Sequence, residues 1–306
     1  LKNFKGNSKY LSYTLKTLYF QNEVRKITGV GSVPNVPQSS LAKIEIPLPP
    51  IEVQNEIVRI LDHFTQLEAE LEAELEAELD CRKRQYEFYR DKLLSFDKLT
   101  PPPERNNVVW KKLGEVGTFV RGNGLQKKDF TTEGIGCIHY GQIYTHYKTS
   151  ATETITYCSK ELAKKLRKAE HGDVVIATTS ENVEDVCKAM AWMGRDSVAV
   201  SGDAYIFKHN QNPKYIAYIF QTAKFFDYKK RKANGTKVIR LSGDAIGKFE
   251  VPIPPIEEQN RIVAILDRFE ALTTSLQDGL PAEIAARRQQ YDYYRDKLLD
   301  FKRKTA

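Results

Sequence analysis

Four short stretches of this chain concentrate side chains that can bond to the edges of bases and to phosphates. The first is His139–Tyr147, which carries the hydroxyls of Tyr140 and Tyr144, the amide of Gln142, the hydroxyl of Thr145 and the imidazole of His146 on an expected strand-loop. An amide pairs in two-pronged fashion with adenine in a major groove. Hydroxyl and imidazole groups reach phosphates or base edges. The second is Thr178–Asn182, where Thr179, Ser180, Glu181 and Asn182 form a polar loop expected to follow a strand. The third is basic: Lys229, Lys230, Arg231 and Lys232 end an expected helix and run into a glycine-containing loop with Thr236, Lys237 and Arg240. Cations at a helix end beside exposed loop amides suit a phosphate clamp. Lys127 and Lys128 are a fourth source of positive charge.

Motifs of catalysis are missing by contrast. The pair Gly117 and Gly122 is followed by Asn123 where a phosphate-cradling loop needs Lys. No GxSxG elbow, no HExxH and no Asn/Asp-Pro-Pro-aromatic sequence occurs. Cys137, His139, His146 and Cys158 match no standard zinc spacing. Asp173 and Glu181 flank an expected strand, an arrangement common without any nuclease chemistry. We expect no catalytic residues, no metal and no cofactor. Each polar stretch alone also describes a solvated strand edge or helix face. Their occurrence together weighs toward a polyanionic partner.

Charge distribution supports that weighting. The 306 residues carry a net charge of +7. Residues 67–80 hold seven acids and no base, so the rest of the chain stands at +14. A basic body attached to an acidic rod fits a polyanion bound by the body. No apolar run is long enough to span a bilayer, so no membrane partner is expected. Cys81, Cys137, Cys158 and Cys187 show no CxxC spacing and read as thiols of a cytoplasmic protein.

The elements that must position these groups come in a duplicated frame. An offset of 205 residues carries IPLPPIEVQNEIVRILDHF at 46–64 onto VPIPPIEEQNRIVAILDRF at 251–269, and RKRQYEFYRDKLLSF at 82–96 onto RRQQYDYYRDKLLDF at 287–301. Upstream, Asn7, Lys9, Tyr10, Tyr13 and Thr17 match Asn212, Lys214, Tyr215, Tyr218 and Thr222. A repeat this long is a duplicated domain-sized unit and not a solenoid. Steps of three and four between Val53, Ile57, Ile60, Phe64, Leu67, Leu71, Leu75 and Leu79 predict a helix from Ile51 to Phe96, about 69 Å long at about 1.5 Å per residue. Pro47, Pro49 and Pro50 hold its entry extended. A rod of this length cannot cover its apolar stripe alone, so the two long helices are expected to pack against each other, antiparallel under a pseudo-two-fold. The first contains LEAELEAELEAE, a tetrapeptide repeat whose units each add about 6 Å of helix, an adjustable spacer. The second has Asp278-Gly279 and Pro281 in the corresponding place, which predicts a break near Gly279.

Residues 1–46 are the end of a first globular domain whose earlier part is expected to be missing. Residues 47–99 form the first long helix with its spacer. Residues 100–109 are a Pro-rich linker, 110–250 a complete α+β domain, and 251–306 the second helical region.

PPIExQN opening a long helix, RxxQYxxYRDKLLxF closing it, and a second copy of both resemble the specificity subunit of type I restriction-modification systems. The intervening segments IHYGQIYTHY, GDVVIATTSENVEDVCKA, SVAVSGDAYIF and GTKV resemble one of that family's target-recognition domains. The resemblance implies an α+β recognition domain on two long helices packed as an antiparallel, coiled-coil-like pair. It implies a non-catalytic subunit that binds double-stranded DNA at a bipartite target and docks two modification (methyltransferase) subunits, with restriction subunits joining. S-adenosylmethionine, ATP and magnesium would belong to those partners. A subunit shortened in nature would have the alternative of forming a homodimer to rebuild the two-fold. The competing reading is a non-enzymatic coiled-coil scaffold with a globular binding domain; a free-standing nuclease is a remoter one.

Overall fold

The computed structural model describes residues 4–28, 35–96, 107–235 and 237–301. In chain order the helices before the complete domain are α1 (Ser8–Thr14), α2 (Leu18–Ile27), α3 (Gln38–Leu41) and α4 (Ile51–Ser95). The domain then runs β1 (Val109–Lys112), α5 (Leu113–Val116), β2 (Gly117–Arg121), β3 (Ile135–Ile138), α6 (Tyr140–Thr145), β4 (Ser150–Ala151), β5 (Thr156–Cys158), α7 (Lys160–Ala163), β6 (Lys168–Ala169), β7 (Val174–Ala177), β8 (Thr179–Ser180) and β9 (Ala189–Trp192). It continues through β10 (Val198–Val200), β11 (Ala204–His209), α8 (Pro213–Ile219), α9 (Ala223–Lys232), β12 (Ile239–Arg240), α10 (Gly243–Gly247) and β13 (Glu250–Ile253) to α11 (Ile256–Leu298).

The chain divides into two compact units. One comprises residues 1–82 and 272–306, the other residues 83–271. Each unit therefore holds the head of one long helix and the tail of the other.

Within the first unit, Asn7 and Thr17 cap α1 and α2 with their side chains, as short polar residues do where backbone N–H groups lack partners. The Gln54 carbonyl accepts from Asn7 N at 2.9 Å and its amide donates to Pro49 O at 2.7 Å, tying α1 to the entry of α4. Lys9 reaches Asp62 at 2.7 Å, Tyr13 donates to the same carboxylate at 2.8 Å, and Tyr10 donates to Pro47 O at 3.1 Å. The α11 tail packs on the α4 head: Phe64 stacks on Tyr294 with ring centroids 6.3 Å apart, and Asp296 accepts from Leu18 N at 2.8 Å.

The second unit repeats this frame residue for residue. Gln259 accepts from Asn212 N at 3.0 Å, Lys214 meets Asp267 at 2.8 Å, Tyr218 donates to Asp267 at 2.8 Å, and Tyr215 donates to Pro252 O at 2.9 Å. Tyr89 stacks on Phe269 at 5.7 Å and Asp91 accepts from Ala223 N at 3.0 Å. Phe64 opposite Tyr294, and Phe269 opposite Tyr89, are antiparallel contacts of one register. The expected antiparallel pair is thus present, with aromatic rings stacked between the two helices and polar side chains tying each to the short helices beside it.

A helix break near Gly279 was expected; instead α11 is one helix from Ile256 to Leu298. One Gly costs about 1 kcal/mol and one Pro about 3 kcal/mol in a helix interior. Helix already formed on both sides propagates across such a site, because extending a helix is far easier than starting one.

The globular part of the second unit is α+β. A five-stranded sheet has the order β2-β11-β7-β9-β4 and a four-stranded sheet the order β5-β3-β10-β6, mostly antiparallel, with parallel pairings at β3–β10 and β4–β9. Val174–Ala177 are buried on both faces, which is why that run reads as continuously apolar. One core packs β7, β9, α8 and α10 against the α11 head, with Tyr215, Ile216, Tyr218, Phe225 and Leu266 inaccessible to solvent. Residues 160–163 form a single helical turn followed by β6. Helices α8 and α9 are separate, because Thr222 caps a new helix through Phe225 N. Most of the expected linker over 100–109 lies outside the described residues.

Candidate nucleic-acid interface

The two sheets meet at the turn Ser201-Gly202-Asp203, between β10 and β11. Ser201 N donates to Ile138 O at 3.0 Å and Thr178 N donates to Asp203 O at 3.0 Å, so the turn joins the end of β3 to the end of β7. Gly122 lies against it. A Cβ there would stand 2.2 Å from Ser201 O, a distance only glycine avoids. Arg121 donates from Nε to Gly202 O at 2.7 Å and faces Asp203 at 3.6 Å. Arg167 donates to Arg121 O at 2.6 Å.

Around this turn the structure gathers several of the residues singled out by sequence. Tyr140 N donates to Ser201 Oγ at 2.9 Å, and the Tyr140 and Tyr144 rings lie 6.2 Å apart on α6. Burial is the main cause raising the Tyr144 pKa, with the charges of Asp185 and Glu181 adding to it. Thr179 and Ser180 are paired as β8 with Arg240 and Ile239 of β12. Asn234 and Arg240 exchange backbone hydrogen bonds at 2.9 and 3.0 Å, closing a hairpin whose Gly235 takes a φ of +117°. Lys237, Val238 and Arg240 of that hairpin are exposed, as are Lys230, Arg231 and Lys232 at the end of α9. Lys127 and Lys128 are exposed on a short 3-10 turn, Lys127–Asp129. Burial is the main cause lowering the His139 pKa, and the nearby Lys127 charge adds to it, so this imidazole is neutral at pH 7. Thr236 lies outside the described residues.

Several expected contact groups are already engaged internally. The stretch at 139–147 is a helix and not a strand-loop. His139 caps it through Gly141 N at 3.3 Å, and the Gln142 carbonyl accepts from His139 N at 2.8 Å. The Gln142 amide donates to Thr156 at 3.0 Å. Thr145 donates back to Gly141 O at 2.9 Å, while His146 is exposed at the end of the helix. The loop expected after the strand is instead β8, whose Thr179 and Ser180 are buried, with Thr179 donating to Asp203 at 3.3 Å. Asn182 bonds both to Asp185 N and to its carboxylate, while Glu181 is exposed.

Lys229 differs most from expectation. It is 4 % exposed and donates to Glu184 O and Val186 O, both at 2.8 Å. Burial lowers its pKa to about 8. It braces the loop carrying Glu181 and Asn182, a different role from its exposed neighbour Lys230. The two face different ways, since one step along a helix turns a side chain by about 100°. Sequence reasoning also missed Arg121, Arg167 and Asp203. The available signal was an arginine closing a strand just before Gly122, and the Ser-Gly-Asp turn between two apolar runs.

The match to known proteins agrees with this architecture. A putative type I restriction enzyme specificity subunit of Haemophilus influenzae is 35% identical over 278 residues, covering 86% of this chain and 66% of its own. A type I restriction enzyme specificity subunit of Escherichia coli is 34% identical over 274 residues, with 86% and 64% coverage. This chain thus spans just under two thirds of the length of those two relatives. A putative type I specificity subunit of Mycoplasma pneumoniae is 30% identical over 304 residues, 82% of its length. In fold, the chain is similar to one from a study of complex assembly and conformational transition of the type I R-M system, with a TM-score of 0.74 at 17% identity over 96% of this chain and 71% of that one. The HsdS subunit of Thermoanaerobacter tengcongensis is similar with a TM-score of 0.60 at 18% identity, over 95% and 69% of the two chains. Residues 1–80 and 106–286 match the type I restriction modification DNA specificity domain, and the chain belongs to that family.

Proposed function

We propose that the second unit reads one half of a bipartite duplex DNA target at the edge around the Ser201–Asp203 turn. The observation that carries this reading is the convergence there of Arg121, Tyr140, Tyr144, Glu181 and Arg240, flanked by the basic hairpin that contains Lys237. Arg121 has donors directed along the turn, and an arginine fork pairs with guanine. The hairpin and Lys230–Lys232 supply sequence-independent phosphate attraction. In this reading Gln142 and Lys229 shape the reading edge and do not touch bases. The long helices dock two modification subunits, with restriction subunits joining, and the tetrapeptide repeat in α4 sets the separation of the two half-sites. Methyl transfer and cleavage, with S-adenosylmethionine, ATP and magnesium, belong to the partners.

Equilibrium binding to a library of duplexes over a range of salt tests the reading. Arg121→Ala should relax preference at one base position, at a cost of about 1–3 kcal/mol on the preferred sequence. Lys237→Ala should weaken all duplexes alike and lower the salt slope by about 1. Equal affinity for all duplexes at moderate salt would overturn the proposal.

A further inference from the structure

A buried cation stands behind the turn that presents Glu181. Residues 181–187 join β8 to β9, and backbone bonds tie the turn at both ends. At its start Ser180 pairs with Ile239 of the hairpin. At its close Cys187 N donates to Ala177 O at 2.7 Å, and Ala177 N donates to Lys188 O at 2.9 Å. In between, Asn182 accepts from Asp185 N at 2.7 Å and Lys188 pairs with Asp185 at 2.8 Å. Cys187 takes a φ of +61°, a left-handed conformation that a side chain opposes.

A further hold on the turn comes from α9. The Lys229 ammonium donates to Glu184 O and Val186 O, just ahead of the left-handed Cys187. Hydrogen bonds from a charged donor are about twice as strong as neutral ones. The helix is itself anchored, since Tyr228 donates to Ala245 O at 2.6 Å. Its last residues, Lys230, Arg231 and Lys232, face solvent. One helix thus carries the groups that attract phosphate and the group that grips the turn bearing Glu181. The charges of Asp185 and Glu181 both reach Tyr144, which places that turn beside α6.

We propose that Lys229 is a positioning residue for base recognition: its ammonium holds residues 181–187 against α9, so that Glu181 keeps its place beside Tyr144 and sequence preference depends on a group that touches no DNA. This inference rests on the DNA reading above. Burial lowers the Lys229 pKa to about 8, with Asp185 and Glu184 opposing the fall and Lys188 adding to it. Burial pushes the neighbouring Cys187 thiol up to about 12. Raising the pH from about 7 to about 9 therefore discharges Lys229 and leaves Cys187 a thiol, so that charge-assisted bonds become ordinary ones.

The test is binding of the whole protein to a random-sequence duplex library at those two pH values. The readout is the affinity for the preferred duplex relative to the library average. In the wild type this ratio should fall about tenfold at the higher pH, roughly the worth of one base contact. Lys229→Met should show the reduced ratio at both pH values with an unchanged salt slope, because Lys230, Arg231 and Lys232 remain. Lys229→Arg, charged at both, should keep a high ratio at both. Circular dichroism checks that each variant folds; should Lys229→Met not fold, the wild-type pH series and Lys229→Arg decide alone. The inference is overturned by a wild-type ratio that does not change with pH. It is equally overturned by a Lys229→Met ratio that matches the wild type at pH 7 or still falls with pH, or by a loss of affinity shared by all duplexes. Wild-type binding with no sequence preference at pH 7 would instead overturn the DNA reading, and this inference with it.

Discussion

The two units carry one frame in two different surroundings. The polar network recurs at an offset of 205 residues with distances that differ by a few tenths of an ångström at most. Asn7–Gln54 and Asn212–Gln259, Lys9–Asp62 and Lys214–Asp267, and Tyr10–Pro47 and Tyr215–Pro252 are the clearest pairs. The apolar surroundings do not recur. In the first unit Tyr10, Ile57, Val58, Leu61 and Leu299 form a small cluster. Their counterparts in the second unit belong to a core that takes in residues of α4, α5, α8, α9, α10 and α11 and of β7, β9 and β11 of the five-stranded sheet. Directional bonds set helix register locally. Burial, which sets stability, depends on what packs over the frame.

The largest expected effect separates the two cores. Leu61 and Leu266 are counterparts, both fully buried. Leu→Ala in a core costs about 2–5 kcal/mol, more where the cavity cannot collapse. Leu266→Ala should fall at the upper end and Leu61→Ala at the lower. The only tryptophans, Trp110 and Trp192, both lie in the second unit. Urea unfolding followed by tryptophan emission should therefore register Leu266→Ala strongly and Leu61→Ala weakly, while circular dichroism registers both. Equal shifts in the tryptophan signal would show that the units unfold as one.

A second difference is titratable. His209 occupies the position of Phe4, and burial lowers its pKa to about 4, with Asp173 opposing. Its Nε2 is buried without a hydrogen-bond partner. The folded pKa lies below the ordinary histidine value of about 6.5, so between those pH values the unfolded chain binds more protons. The stability from a neutral His209 is fully present above pH 6.5 and is lost as pH falls toward 4. His209→Phe, which copies the first unit, should remove about 3 kcal/mol of acid sensitivity from the tryptophan-reported transition. An unchanged pH profile would assign the acid response to other groups.

The smallest effect belongs to the tetrapeptide repeat of α4. Arg288 reaches Glu72 at 3.3 Å and Glu68 at 3.8 Å, an exposed contact between α4 and α11 within the first unit. Arg288→Ala should cost under about 1 kcal/mol, as exposed ion pairs do. A larger loss in circular-dichroism melts would mean that the repeat is a specific contact, at odds with an adjustable length.

Much of the architecture was legible in order and spacing. The three- and four-residue steps of the long helices, their prolines at the entry, and the 205-residue repeat are local or self-referential signals that need no tertiary knowledge. The antiparallel pairing followed from two apolar stripes that only each other could cover. The site was legible in part. The basic loop at 229–240 and the tyrosines of 139–147 were visible as clusters, but the engagement of Gln142, Thr179 and Lys229 was not. A donor's availability depends on which carbonyls lie within 3 Å of it, and those come from residues distant in sequence.

By itself, then, the sequence determined the duplicated frame, the two rods and the basic character of the candidate interface, because periodicity, proline placement and charge act through neighbouring residues. Only the tertiary structure decided that Arg121 and Asp203 meet at the sheet junction, that Lys229 faces inward while Lys230 faces solvent, and that Gly279 does not end its helix. Those outcomes depend on burial and on partners brought together by folding, and both are properties of the packed chain.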